Sequence, residues 1–222
     1  MWIIGITGAI GAGKSSLSKY LKSLGVPIHS SDKEIHLLLE KDLQVREKII
    51  KLWPNIIRQG KIDRELLGEA VLFSPNGLAQ LEKILYPRLV ERQKEFLRKN
   101  QYLNKDIVAL DVPLLFEVGL DRYCHCVILA STPSLIRKER VLKRKGMTLE
   151  KLKAFESQQL NDRERRKWAD YIIPCGREKG SALKMIKDIL ETLSLKKSPI
   201  WQGKWPKNLR RNRYGTRDRF RY

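Results

Sequence analysis

Residues 8–15 read Gly8-Ala9-Ile10-Gly11-Ala12-Gly13-Lys14-Ser15, and this stretch decides the fold. It matches the phosphate-binding pattern G-x-x-x-x-G-K-[ST] at every fixed position. The apolar run Trp2 to Ile6 precedes it, and a helical pattern from Lys14 to Leu24 follows. A buried strand, a glycine-rich turn and a helix N-terminus together surround phosphate oxygens with backbone N–H groups and a positive helix end. The stretch therefore predicts a phosphate site at the end of the first strand.

The loop residues have separate expected roles in holding ATP and its metal ion. Lys14 is expected to reach the β- and γ-phosphates, and the Ser15 hydroxyl is expected to ligate Mg²⁺. Further ATP contacts are expected from Gly8, Gly11, Ala12, Gly13 and Ser16. Asp111 ends the apolar run that starts at Val108, which makes it the second expected Mg²⁺ ligand, directly or through water.

Apolar runs alternate with helical patterns along the chain, which is typical of an α/β fold with a parallel sheet. Five buried strands are expected, at Trp2 to Ile6, Val26 to His29, Ile107 to Val112, Tyr123 to Ala130 and Tyr171 to Pro174. Helical patterns follow the last two strands, at Ser134 to about Lys145 and at Ser181 to Leu195. Thr148 is the expected N-cap of a further helix that runs through Leu160.

The stretch from Lys33 to about Asn104 is charged, helix-periodic and almost without strand signal. A crossover between parallel strands needs only about a dozen residues, so this length predicts an inserted helical domain for the second substrate. The expected organisation is a core at 1–32 and 105–195 with a lid around 137–165, an insertion at 33–104, and a basic C-terminal extension at 196–222.

Asp32 follows the second strand, at the edge of the sheet where ligands of open parallel sheets bind. A carboxylate there could accept the proton of an attacking hydroxyl. An Asp after Ser30-Ser31 is equally able to cap a helix N-terminus, so the residues alone leave both interpretations open.

Arg137, Arg140 and Arg144 have the spacing i, i+3 and i+7, which places them on one helix face. Such a face is either a solvated stripe or a lid that brings cations to the transferring phosphoryl group. We favour the second interpretation for Arg140 and Arg144 and the first for Arg137.

The composition narrows the class of partner. The formal net charge is +20, which suits an anionic substrate or nucleic acid. Three cysteines do not form a disulfide framework, and neither a signal peptide nor a membrane-spanning stretch is recognisable, so we expect a cytoplasmic protein without a membrane partner.

The C-terminal extension is rich in Arg and aromatic residues, a composition that can contact nucleic acid. We favour a solubilising or loosely docked segment outside the core, with tryptophans packed on the body as one form of such docking.

Several segments resemble the dephospho-coenzyme A kinase family. Ile6 to Ser15 is similar to that family's T-G-G-I-G-S-G-K-S loop, and Ser30-Ser31-Asp32 falls at its D-A-D. Val112 to Leu120 resembles the family signature V-P-L-L-F-E-x-G-L, which other P-loop kinases do not share. Further matches are Asp63-Arg64, Leu85-Tyr86-Pro87, Arg140, Arg144, Gly146, Gln158 and Ala169-Asp170. Ser30, Tyr86 and Cys175 depart from the pattern.

The resemblance implies a five-stranded parallel P-loop core flanked by helices, with a helical coenzyme A domain and a small lid. It implies phosphorylation of the ribose 3′-hydroxyl of dephospho-coenzyme A by ATP and Mg²⁺. Asp32 would be the general base, and Arg140 would neutralise developing charge as the lid closes. Expected substrate contacts are Asp32, Arg64, Pro113, Leu114, Leu115, Phe116 and Glu117. The alternatives are another P-loop small-molecule or nucleoside kinase, and a nucleic-acid-associated ATPase.

Overall fold

The structure, a computed structural model, describes residues 1–176, 179–207 and 209. The strands are β1 (Trp2–Gly8), β2 (Ile28–Ser30), β3 (Ile57–Arg58), β4 (Lys61–Ile62), β5 (Ile107–Asp111), β6 (Cys126–Ser131) and β7 (Tyr171–Pro174). The helices are α1 (Lys14–Ser23), α2 (Ser31–Lys41), α3 (Leu43–Leu52), α4 (Arg64–Phe73), α5 (Gly77–Tyr102), α6 (Ser134–Leu142), α7 (Leu149–Ser157), α8 (Asp162–Trp168) and α9 (Lys179–Ser194).

The main sheet has five strands in the order β2-β5-β1-β6-β7, and every neighbouring pair is parallel. The expected five-stranded parallel core is therefore confirmed. Within it β7 has its expected bounds, whereas β2 begins two residues later than expected and β6 three residues later. Because all strands run the same way, the carboxyl ends of β1, β2 and β5 meet at one edge of the sheet.

Apolar side chains cover both faces of this sheet. On one face α1 and α9 bury Leu17, Leu21 and Ile186 against β1 and β6. On the other face Leu89 and Leu97 of α5 pack against β5. The β strands are thus buried on both sides, which explains why they read as continuous apolar runs in the sequence.

Residues 31–102 form α2 to α5 and have an apolar cluster of their own. Its buried members include Leu38, Ile49, Trp53 and Leu67. The stretch also contains a short hairpin that the sequence analysis did not predict, because β3 and β4 pair antiparallel. The hairpin turns through Gln59 and Gly60, both with positive φ, and strands of two residues are too short to show an alternating pattern.

The segment expected as one helix from Thr148 to Leu160 contains the whole of α7 and ends shortly before a second helix begins. The Thr148 side chain accepts a hydrogen bond from the Lys151 N–H, so it is the predicted N-cap, but α7 ends at Ser157. A separate helix, α8, follows with Asn161 as its N-cap.

The C-terminal extension packs on the body, against the expectation that it lies outside the core. Trp201, Trp205 and Leu209 are buried in the same cluster as Met1 and Leu97. Two bulky indole rings can cover apolar surface that a basic composition alone does not suggest. The remainder of the basic, aromatic tail beyond residue 209, including Tyr214, Phe220 and Tyr222, lies outside the described residues. Across the described residues, no helix has both the length and the apolar character needed to cross a membrane.

Candidate active site

The glycine-rich loop connects β1 to α1 in a conformation that requires glycine at two positions. Gly11 has φ 77° and Gly13 has φ 98°, both in the left-handed region that side chains disfavour. A Cβ on Gly13 would lie 2.6 Å from the Cβ of Cys175, and one on Gly11 would lie 2.7 Å from Val141 Cγ2. The loop is therefore held between α6 and the end of β7.

Three charged side chains converge where β1, β2 and β5 end. The Lys14 ammonium group forms ion pairs with Asp111 and with Asp32, whose Oδ2 lies 3.6 Å from Lys14 Nζ. The Ser18 hydroxyl donates to Asp111 Oδ2 at 2.7 Å. Sequence positions almost eighty residues apart thus supply two carboxylates to one cation.

The two carboxylates differ in how much water they contact. The Asp111 side chain is 7 % exposed, whereas that of Asp32 is 57 % exposed. Ser30, not Asp32, caps α2, because its side chain accepts the Lys33 N–H. This observation removes the N-cap explanation for Asp32 and leaves its carboxylate accessible beside the phosphate-binding lysine.

The donor set at this point suits a hard divalent cation. Ser15 is exposed in the first turn of α1, and the Asp111 carboxylate stands beside Lys14 and Ser18. Hydroxyl and carboxylate oxygens are the groups that Mg²⁺ prefers. Ser15 and Asp111 therefore fit the metal that accompanies ATP.

The three arginines expected on one helix have different surroundings, because α6 ends at Leu142 and therefore carries only Arg137 and Arg140. Arg140 donates to the Cys175 carbonyl at 3.0 Å and to the Gly176 carbonyl at 2.9 Å, so it fixes the loop after β7 beside the glycine-rich loop. Arg144 is exposed. The expectation that Arg137 belongs to a solvated stripe is wrong, because Arg137 is only 8 % exposed. The i, i+3, i+7 spacing defines a shared face but not what covers that face.

The segment after β5 divides into contact and core residues. Pro113 and Leu114 are half-buried, whereas Leu115 and Phe116 are buried in the core. Glu117 accepts the Leu160 N–H at 2.7 Å, which ties the segment to the start of the α8 region. The structure thus leaves Pro113 and Leu114 accessible and places Leu115, Phe116 and Glu117 in supporting positions.

Arg64 begins α4 and faces α2. Its guanidinium lies 2.7 Å from the Nε2 of His36, which is one turn of α2 beyond Asp32. The preceding Asp63 caps α4 by accepting the N–H groups of Glu65 and Leu66. The Asp-Arg pair therefore combines a structural residue with a cation on the side of the inserted helices.

Two residues near the glycine-rich loop were not expected from the sequence. Gln159 Oε1 accepts the Ile10 N–H of the loop at 3.1 Å, whereas the family resemblance had matched the adjacent Gln158. Arg165 of α8 donates to the same oxygen at 3.3 Å. Two adjacent glutamines carry no signal that distinguishes them, and α8 itself was not predicted.

A glycine-rich phosphate loop on β1, its lysine between two carboxylates, and a parallel sheet in the order β2-β5-β1-β6-β7 define a P-loop kinase. The profile of the dephospho-CoA kinase family matches residues 2–178, and the chain belongs to that family.

Individual relatives agree with this assignment. A dephospho-CoA kinase of Nitrobacter winogradskyi is 34 % identical over 190 residues, which cover 86 % of this chain and 94 % of the relative. A Thermus thermophilus crystal structure superposes with a TM-score of 0.72 at 30 % identity, covering 86 % of this chain and 97 % of that one. The Campylobacter jejuni dephospho-CoA kinase gives a TM-score of 0.63 at 28 % identity, covering 86 % and 98 %.

Proposed function

We propose that this protein transfers the γ-phosphoryl group of ATP to the ribose 3′-hydroxyl of dephospho-coenzyme A, which yields ADP and coenzyme A. The observation that carries the proposal is the accessible Asp32 carboxylate 3.6 Å from the phosphate-binding Lys14, in a chain of the dephospho-CoA kinase family. A general base beside the γ-phosphate site is what transfer to a hydroxyl requires.

The glycine-rich loop and Lys14 hold the nucleotide in this mechanism. Backbone N–H groups from Gly8 to Ser16 surround the phosphates, and Lys14 stabilises the charge on the transferring group. Ser15 and Asp111 would hold Mg²⁺, which neutralises charge on the β- and γ-phosphate oxygens when bound. Lys14 pairs with both carboxylates in this structure. When the nucleotide binds, its phosphate groups give Lys14 partners that carry more negative charge.

Asp32 acts on the acceptor. Its carboxylate accepts the proton of the 3′-hydroxyl while the oxygen attacks the γ-phosphorus, and the bond to the ADP oxygen breaks. Asp32 can reach a bound acceptor because more than half of its side chain is exposed. No part of the fold has to open before the base meets the hydroxyl.

Arg140 of α6 and Arg144, which follows the end of α6, serve the nucleotide side of the cleft. Arg140 fixes residues 175 and 176 next to the glycine-rich loop through two backbone carbonyls. For Arg140 to neutralise charge on the phosphoryl group, these bonds must break during closure. Arg144 is exposed one turn further along and is free of such constraints for contact with the phosphates.

The acceptor lies between the P-loop helix and the inserted helices. A cavity of about 1310 Å³ opens there, lined by Asp32, Lys14, Phe96 and Arg92 among others. Its volume exceeds the 300–1,000 Å³ of ordinary small-molecule sites, which suits a large acceptor. We assign Arg64, Pro113 and Leu114 as further acceptor contacts, because Arg64 begins α4 of the inserted helices and Pro113 and Leu114 follow the end of β5.

The experiment that tests this function is ADP release with ATP and Mg²⁺ against separate acceptors. We expect dephospho-coenzyme A to stimulate release, with little effect from a panel of nucleosides or from RNA. Efficient transfer to a nucleoside with none to dephospho-coenzyme A would support another P-loop small-molecule kinase. Stimulation by RNA alone would support a nucleic-acid-associated ATPase. We expect the reaction to take place in the cytoplasm.

A further inference from the structure

Helix α6 packs directly on the glycine-rich loop. A Cβ placed on Gly11 would lie 2.8 Å from the carbonyl oxygen of Arg137 and 3.3 Å from its Cα. Arg137 is therefore anchored where the loop passes closest to α6. Its side chain is buried at this contact rather than extended into water.

No carboxylate of the described residues forms a direct ion pair with Arg137. Its Nε atom is buried without a hydrogen-bond partner. Across residues 1–176 and 179–207 no carboxylate lies within 4.0 Å of its guanidinium. A buried cation is strongly unfavourable unless an anion compensates it, so this position calls for one.

A second buried arginine stands close to the first. Arg165 is 4 % exposed, and its Nη2 donates to Asp162 Oδ1 at 3.2 Å. Its Nε atom also lacks a partner. Burial lowers the pKa of Arg165, Asp162 and Glu117 oppose that change, and the neighbouring Arg137 cation adds to it. The two guanidinium groups thus repel each other in the ligand-free protein.

The same place already binds an acceptor oxygen. Gln159 Oε1 accepts both from the Ile10 N–H of the glycine-rich loop and from Arg165 Nη1. One oxygen can therefore contact the loop and a buried guanidinium at once. A phosphate oxygen has the same acceptor geometry and adds a negative charge beside Arg137, which lacks a direct ion pair.

We propose that Arg137 and Arg165 form a paired-guanidinium subsite for the terminal phosphate of the bound nucleoside triphosphate, on the Ile10 side of the glycine-rich loop. The subsite rests on the proposed function in that the terminal phosphate is the group transferred. Arg137 and Arg165 bind this phosphate in addition to Lys14, and no bond is made or broken by either arginine. ADP lacks the group, so the subsite distinguishes ATP from ADP.

The test compares calorimetric binding of a non-hydrolysable ATP analogue and of ADP, each with Mg²⁺, to the full-length protein. Arg137→Met removes the charge but fills a similar volume. We expect it to weaken binding of the analogue by at least about tenfold and to change ADP binding by less than about twofold. Its Tm should be unchanged or higher, because an uncompensated buried charge is gone.

Two further variants complete the test. Arg163→Met removes an exposed arginine two residues before Arg165 and should change neither affinity nor Tm. Arg137→Lys retains a cation and should retain part of the preference for the analogue over ADP. This variant tests the subsite even where the Met variant does not fold. Equal effects on both nucleotides, or a lower Tm with an unchanged preference, would overturn the subsite. Because no acceptor is present, failure to phosphorylate dephospho-coenzyme A refutes the proposed function and not the subsite.

Discussion

The two ends of the parallel sheet are built for different purposes. At the carboxyl ends of β1, β2 and β5, Lys14, Asp32 and Asp111 gather charge around a large cavity. At the opposite end, Trp201 and Trp205 of the extension complete an apolar cluster. The first end holds the groups that the proposed chemistry requires, and the second holds groups that contribute packing. Substitutions at the two ends should therefore change different measured quantities.

Of the substitutions, Lys14→Ala should have the largest effect, and that effect should be on turnover rather than on folding. Removing a preorganised cation from the transferring phosphoryl group is expected to lower kcat by at least about 10²-fold. The fold should persist, since the Ser18 hydroxyl still donates to Asp111. Steady-state ADP release and circular dichroism measure the two properties. A folded variant with near-normal turnover would refute the phosphate-loop assignment.

Asp32→Asn should lower kcat by roughly 10²-fold or more while ATP still binds, because loss of a general base costs 10²–10⁴ in rate. Its Tm should change little, since Ser30 caps α2 and Asp32 is largely exposed. Turnover, nucleotide binding and Tm are measured on the same preparation. A clear fall in Tm with normal kcat would show that Asp32 has a structural role and is not the general base.

Trp205→Ala should change stability rather than turnover. The indole is 8 % exposed and lies 5.5 Å from the Tyr123 ring, so its loss should cost about 3 kcal/mol and lower Tm by roughly 6–12 °C. Ile200→Ala is the matched control, because Ile200 is 82 % exposed in the same segment. Differential scanning calorimetry compares them.

Truncation after Leu195 extends this prediction to the whole extension. It should preserve kcat within about threefold, because the chemistry uses residues before that point, but it should lower Tm at least as much as Trp205→Ala. Loss of turnover with the fold intact would show that the working enzyme extends into residues 196–222. Steeply salt-dependent RNA or DNA binding that the truncation removes would add a nucleic-acid role for the tail.

The smallest expected effect is on the pH dependence of stability, and it comes from His125 at the packing end of the sheet. Burial, helped by the nearby N-terminal cation, lowers the pKa of His125 to about 4, and its Nδ1 accepts the Ile3 N–H at 2.9 Å. In the unfolded chain His125 binds a proton below about pH 6.5, whereas in the folded chain it binds one only below about pH 4. The free energy of unfolding therefore falls as pH decreases through this window. His29 contributes in the same direction, because burial lowers its pKa to about 4.

His125→Asn separates the two histidines. Asn can still accept from the Ile3 N–H but does not titrate, so its Tm should fall less between pH 7 and pH 5 than that of the unaltered protein, by roughly 2–4 °C. Thermal scans at several pH values measure this difference. Identical pH profiles would show that His125 does not contribute.

The sequence predicted the positions of the candidate site residues better than the packing around them, for physical reasons. The loop from Gly8 to Ser15 has fixed spacing because the phosphates fix it, and buried parallel strands are long apolar runs. Asp32 was found by its place after β2, although only the Ser30 cap separated its two interpretations.

Features that depend on tertiary packing were missed. The β3–β4 hairpin is too short for periodicity, and the burial of Arg137 depends on how α6 meets the loop rather than on residue spacing. The extension was expected to lie outside the core, with tryptophans docked on the body as one possibility, whereas in the structure Trp201 and Trp205 belong to a core cluster.

The position of the new phosphate tests the central claim most directly. Full-length protein is incubated with ATP, Mg²⁺ and dephospho-coenzyme A, and the product is analysed by phosphorus NMR with correlation to the ribose protons. The account predicts a monoester on the ribose 3′-oxygen, formed by the unaltered protein and at least about 10²-fold more slowly by Asp32→Asn. A phosphate on another atom of the acceptor, or release of inorganic phosphate alone, would contradict it.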